Sequence, residues 1–113
     1  MKVTYRKDGK PYMPPGHYDV KCVRLHDKDT SDADHLILGM SYFLPNGGGA
    51  DYAVTPDGAN IIYYIAYGEM TVTTDNGEYV LHAGDSICFN PGDGRSCKNT
   101  GTEPALMIVI MGK

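Results

Sequence analysis

The sequence predicts an all-β domain, and three observations carry that prediction. Apolar runs are short, Gly, Pro, Asn and Asp interrupt them at close intervals, and no segment sustains a helical apolar period over three turns. At 113 residues the chain is one domain with a modest core. Many short strands in so few residues imply a sandwich or a small barrel, because closing a sheet removes exposed edges.

Taken in order, Pro11, Pro14 and Pro15 mark an irregular N-terminal arm. The first strand is expected over Asp19–Leu25. "KDTSDAD" reads as a polar loop with room for one helical turn. A strand follows over Leu36–Leu44, then a second loop, "PNGGGAD", then a short strand over Asp51–Val54. "TPDGAN" holds the Pro-Asp-Gly signature of a turn. Further strands are expected over Ile61–Tyr67, Met70–Thr74, Glu78–Leu81, Ser86–Phe89, Ser96–Asn99 and Ala105–Met111. The sharpest local signal is "TTDNGEYV", where Asn76-Gly77 offers two positive-φ positions for a tight hairpin turn.

Composition excludes several function classes. A formal charge of −4 with scattered Lys and Arg disfavours nucleic acid and anionic membranes as partners. The start "MKVTYRKDGK" lacks an apolar stretch of signal-peptide length, and no apolar run reaches transmembrane length, so a cytoplasmic location is expected. Three cysteines, Cys22, Cys88 and Cys97, without close pairing argue against a disulfide framework and a paired-cysteine zinc site. Nine Tyr against two Phe and no Trp mean that most aromatic bulk carries a hydroxyl needing a partner when buried. The Gly47–Gly49 run is not a phosphate loop, since no helix start follows it.

Two glycine-spaced stretches resemble the motifs of the cupin superfamily, a double-stranded β-helix (jelly-roll) barrel. The first motif of that family is Gly, five residues, His-any-His, three or four residues, Glu, six residues, Gly. Its terminal glycines fall on Gly49 and Gly68, its two His on Thr55 and Asp57, and its Glu on Ile61. The second motif is Gly, five residues, Pro-any-Gly, two residues, His, three residues, Asn. It falls on "GDSICFNPGDGRSCKN" with Gly84, Asn90, Gly92, Arg95 and Asn99 at those positions, the proline displaced to Pro91. Fifteen residues, Glu69 to Ala83, separate the two motifs, a length typical of short microbial cupins. The resemblance implies a barrel core over residues 36–113, preceded by an arm and first strands over residues 1–35. No metal ligand of the family is retained in this register, so its metal chemistry does not carry over and no cofactor is expected. The four histidines, His17, His26, His35 and His82, have spacings that fit no metal site.

Arg95 is the most informative residue. The resemblance turns it into the barrel, and a buried guanidinium without a partner costs several kcal/mol. Two readings stay open: an internal ion pair with Asp57, or an arginine that grips a carboxylate or other oxyanion of a ligand. The turn signature around Asp57 tempers the first, because it can hold that residue at the mouth. Strand parity points Tyr63 inward, and Tyr42 is a candidate to reach the same cavity from a neighbouring strand. Both can equally be core filling. Cys97 shares the parity of Arg95, whose charge would lower a neighbouring thiol pKa, unless the cysteine is buried and inert.

The expected function is a metal-free barrel that binds a small, anionic organic ligand through Arg95, Tyr63, Tyr42, Asp57, Thr55 and Cys97. The alternative is a metal-independent lyase or isomerase using Arg95 and a pocket tyrosine on a small organic acid. A third reading is a folded partner subunit without a live pocket. A homodimer is expected, since a small barrel leaves sheet edges and an apolar face for a second copy to cover.

Overall fold

The computed structural model describes residues 1–113, the side chains of residues 50 and 51 excepted. The strands are β1 (Lys10–Tyr12), β2 (Tyr18–His26), β3 (Leu36–Val54), β4 (Asn60–Tyr67), β5 (Glu69–Thr74), β6 (Gly77–His82), β7 (Ser86–Phe89), β8 (Gly94–Lys98) and β9 (Ala105–Gly112). They form one antiparallel sheet in the order β6-β5-β8-β3-β9-β4-β7, with β2 added to β3 and β1 to β2. Wound up, this sheet is the double-stranded β-helix barrel, with β6 and β7 at the ends of the path.

Strand β3 winds the barrel. Its first half, Leu36–Phe43, lies between β9 and β2, while Gly48–Val54 pairs with β8. The "PNGGGAD" segment is therefore strand rather than the expected loop. Asn46 bends it at φ 68, and Gly47 and Gly48 pass so close to Asp19, Tyr18 and the Cys97 carbonyl that a Cβ would collide. The glycines serve a close crossing of backbones, a need that composition alone does not separate from turn flexibility.

The N-terminal arm is more regular than expected. Residues Arg6–Asp8 make a turn of 3-10 helix, and β1 includes Pro11, which is tolerated because this strand is at the sheet's edge. The polar loop after β2 does hold one helical turn, α1 (Lys28–Ser31), closed by an Asp27–Thr30 capping box. The β5–β6 hairpin exists as expected, but its turn is shifted by one residue. Thr74 pairs with Gly77, so Asp75 and Asn76 occupy the turn, and only Gly77, at φ 123, has positive φ. Thr74 Oγ1 accepts from the Asn76 amide and donates to the Gly77 carbonyl, a local bonding pattern that fixes this register.

Alternation along the strands separates two faces. Phe43, Ile65, Met70, Val72 and Met107 point inward and are almost inaccessible to water. Each such side chain contributes roughly 1.5–3 kcal/mol by leaving solvent. The outward residues of β3, β9 and β4 line up in rows, Leu38–Ile110–Ile62 and Met40–Ile108–Tyr64, an apolar outer surface.

Candidate functional site

The two ends of the sheet path leave a cleft of about 520 Å³ between β5–β6 and β7. Tyr79 and Leu81 line one wall, Ile87 and Phe89 the other, and Asp75, Asn76 and Asp93 stand at its rim. Parity explains the walls. Tyr79 pairs with the buried Val72 and Leu81 with the buried Met70, so both turn toward the interior. The rim comes from turn residues. Asp75 sits in the β5–β6 turn and Asp93 in the turn before β8, each placed by hydrogen bonds of its neighbourhood. Tyr52 donates its hydroxyl to Asp75 Oδ1 at 2.8 Å, and Asp93 Oδ2 accepts from the Asn90 amide at 2.8 Å. The hydrogen bond to Asp75 holds the Tyr52 phenol above its ordinary pKa, and the charge of Asp93 adds to this.

Arg95 and Tyr63 meet inside the barrel behind Phe89. Arg95 Nε donates to the Tyr63 hydroxyl at 3.1 Å, and one terminal nitrogen donates to the Ala53 carbonyl at 3.3 Å. The guanidinium carbon stands 5.3 Å from the Phe89 ring centre and 5.8 Å from that of Tyr63, within cation–π range. Tyr63 and Phe89 meet edge to face at 5.0 Å. Burial pushes the Tyr63 phenol above its ordinary pKa, so it stays protonated near neutrality.

The other expected site residues separate from this pair. Asp57 is exposed in the turn between β3 and β4, and among the described residues it forms no ion pair with Arg95. The internal Asp57–Arg95 pair is thus corrected: the Pro-Asp-Gly turn carries the aspartate out to the mouth. Thr55 is buried, but its amide and its hydroxyl both donate to the Asp93 carbonyl, tying the end of β3 to the turn before β8. Tyr42 faces out of the barrel. It pairs with Leu106, whereas the adjacent Phe43 takes the interior, and it packs edge to face on Tyr67 at 5.8 Å. Cys97 is buried, and desolvation outweighs the charge of Arg95, so its pKa is pushed up to about 11 rather than lowered.

The four positions that bear metal ligands in the resembling motifs do not fit a cation. Thr55 offers only a neutral hydroxyl, held toward the Asp93 carbonyl, Asp57 lies in an exposed turn, Ile61 is core and Arg95 is itself a cation. Among the described residues no group of three His, Cys, Asp or Glu is arranged to hold a metal ion. Among the described residues no helix is long and apolar enough to cross a membrane.

Sequence reasoning missed Asp75, Asp93 and Tyr79. The aspartates read as turn chemistry and the tyrosine as an alternating strand position. Only the pairing of β5 with β6, and of β8 with β5, brings them to one opening.

The glycine frame behaves as the two motifs require. Gly68 turns β4 into β5 at φ +85, and a Cβ there would lie 2.6 Å from the Ala105 Cα. Asn99, the last motif residue, is fully buried; its amide donates to the Phe43 and Glu103 carbonyls and accepts from the Gly101 amide.

Comparison with known proteins agrees with this frame. The chain is 32% identical over 111 residues to β-D-galactosidase Rv1717 of Mycobacterium tuberculosis, covering 98% of this chain and 93% of that protein. The solved polyketide cyclase RemF from Streptomyces resistomycificus superposes with a TM-score of 0.83 at 21% identity, covering 99% of this chain and 79% of that one. A sugar phosphate isomerase from Silicibacter pomeroyi gives 0.79 at 15% identity, covering 99% and 76%. At those identities the two structures speak for the fold alone. The cupin domain model matches residues 40–111, from within β3 to the last residue but one of β9. Motif frame, barrel and matched span therefore agree, and the chain belongs to the cupin family.

Proposed function

We propose that the cleft between β6 and β7 binds a small, oxygen-rich organic ligand, a saccharide or sugar acid, and does so without a metal. The observation that carries this reading is the chemistry gathered at one opening. A cleft of about 520 Å³ presents Tyr79 to an apolar ring face, with the nearly buried Phe89 at its base, and Asp75, Asn76 and Asp93 to hydroxyl groups. Its size lies within the roughly 300–1,000 Å³ of small-molecule pockets, and few convergent polar groups on aromatic walls are typical of such sites. Arg95, half-buried behind Phe89, is the group to which an anionic or carbonyl end of the ligand would turn. The relative named a β-D-galactosidase supports a sugar over other oxygen-rich molecules.

A second reading, hydrolysis of a glycoside, is favoured by one specific observation: two carboxylates, Asp75 and Asp93, border the same cleft. Glycoside cleavage needs one carboxyl to protonate the leaving oxygen and a second to activate water or attack. The lyase or isomerase alternative rests on Tyr63 as a neutral hydrogen-bond donor to a developing oxyanion, since burial keeps its phenol protonated.

The protein is further proposed to be a homodimer, with the second copy covering the Leu38–Ile110–Ile62 row and, from the row beside it, Ile108 and Tyr64.

Calorimetric titration with galactose and galacturonate tests the binding reading, and p-nitrophenyl β-D-galactoside tests hydrolysis. Binding of either sugar, weakened at least tenfold by Asp75→Ala, is the expected result. No heat from any sugar, with wild type and variant alike, refutes the saccharide. Sugar binding with no nitrophenol released leaves a binding protein and removes the hydrolase.

A further inference from the structure

A second pocket lies on the opposite side of the sheet from the cleft. It occupies about 430 Å³ where the N-terminal arm crosses the outer face of β2 and β3. Along β2, Cys22 turns inward, so its neighbours Lys21 and Val23 turn outward, opposite Tyr42 and Met40 of β3. Arg6 and Lys7 close the pocket from the arm. The result is amphipathic. Val23, Met40 and Pro11 form an apolar floor, and three cations stand over it with no carboxylate among the lining residues. In a chain of net charge −4, that local excess of positive charge is a marked reversal.

Arg6 is not an idle surface group. The Arg6 guanidinium sits 5.2 Å from the Tyr42 ring centre, and Tyr42 in turn packs on Tyr67, so Arg6 is held in place by aromatic contact. The neighbouring Tyr67 hydroxyl and then the Arg6 guanidinium hold the Tyr42 phenol below its ordinary pKa. Such a pocket is poorly suited to the core of a protein interface, from which charged residues are depleted. It matches a molecule with one acidic end and an apolar body.

We propose that this pocket is a binding site for a free organic acid, its carboxylate met by Arg6, Lys7 and Lys21 and its hydrocarbon laid on Val23, Met40 and Pro11. The site is independent of the cleft between β6 and β7, and it stands whether or not that cleft holds a sugar.

Octanoate is the probe, titrated calorimetrically into the full chain. One octanoate per chain is expected, with octanol and inorganic phosphate each at least tenfold weaker, because each supplies only half of the match. Arg6→Ala and Lys21→Ala should each weaken octanoate at least fivefold while the protein stays folded, as both residues are exposed. Arg95→Gln, on the other side of the sheet, should leave octanoate binding unchanged. Absence of octanoate binding overturns the proposal. So does phosphate binding as tightly as octanoate, indifference to Arg6→Ala and Lys21→Ala, or loss on Arg95→Gln. Tight retention on phosphatidylglycerol vesicles with no binding of dissolved octanoate also overturns it, in favour of a lipid headgroup.

Discussion

Arg95 donates from Nε to the Tyr63 hydroxyl at 3.1 Å, so the charge in the barrel leans on a neutral phenol and not on Asp57. This bears on what its removal does. Arg95→Gln leaves the buried Tyr63 hydroxyl short of a donor, a loss of about 1–3 kcal/mol, and no carboxylate is stranded among the described partners. An anionic ligand directed at Arg95 should bind about tenfold or more weakly, since charge-assisted hydrogen bonds contribute roughly 1.5–3 kcal/mol each. The paired measurement is chemical denaturation and titration with galacturonate. A destabilisation of about 3–5 kcal/mol with no change in galacturonate affinity would mark Arg95 as a purely structural residue. Asp57→Ala, in the exposed turn, should stay within about 0.5 kcal/mol of wild type.

Asn99 is the stronger structural anchor. Its side chain satisfies the Phe43 and Glu103 carbonyls and the Gly101 amide, and its backbone pairs with Asn46 and Gly47 across the crossing of β3. Asn99→Ala orphans three backbone groups at once in a fully buried position. A loss of about 2–4 kcal/mol is expected, read as a lowered urea midpoint at constant slope. A change below about 1 kcal/mol would mean that water replaces the amide without difficulty.

The sequence made the barrel legible because its signals are local. Alternation placed Ser86–Phe89 as it is found, and it turned Tyr63 inward through parity with Ile61. Motif spacing located Gly68 and Asn99, whose roles are geometric and independent of ligand. What stayed hidden depends on long-range pairing. The glycine run of β3 reads as a loop until β2 and β8 are seen to press against it. Tyr42 was misdirected because its face is set by registration against Leu106, which no local pattern records. The candidate site suffers most, since Asp75 and Asp93 come from separate turns and converge only when the sheet closes.

Alkaline pH should weaken the fold. The Cys97 thiol, ordinarily near 9.0, is pushed up to about 11 by burial, and the Tyr63 phenol shifts the same way. The unfolded chain therefore releases the thiol proton first as pH rises. Stability is full below about pH 9 and declines through about pH 11, with roughly 2–3 kcal/mol at stake for a gap of that size. Denaturation midpoints at pH 8 and pH 11, in wild type and Cys97→Ala, test it. In the variant the decline should be shallower. Thiol reagents at pH 8 should modify exposed Cys88 well before Cys97.

Chelation should change nothing. Thr55, Asp57, Ile61 and Arg95 occupy the motif positions where lone pairs would have to converge; Ile61 and Arg95 have none to give, and Asp57 is held away in an exposed turn. Elemental analysis of protein purified without added metal should find well under one equivalent of any transition metal, and the melting temperature should be the same after dialysis against EDTA. About one equivalent surviving dialysis would refute the metal-free reading and point to ligands outside those four positions.

The apolar rows on the outer face of the barrel make the last prediction. Leu38, Ile110 and Ile62 stand side by side across three strands, and Met40, Ile108 and Tyr64 form the row next to them. Tyr64 is 44% exposed in the single chain, so apolar surface on this face remains to be covered. A second copy laid on these residues, Met40 at the border excepted, would remove that surface from water at roughly 25 cal/mol per Å². Light scattering at micromolar concentration should give about twice the chain mass of 12.3 kDa. Tyr64→Lys places a charge at the centre of the face without touching the core, and it should shift the mass to that of one chain while secondary structure is retained. A wild-type mass of 12.3 kDa would sink the dimer. An unchanged dimer in Tyr64→Lys would move the interface to the free edges of β6 or β7.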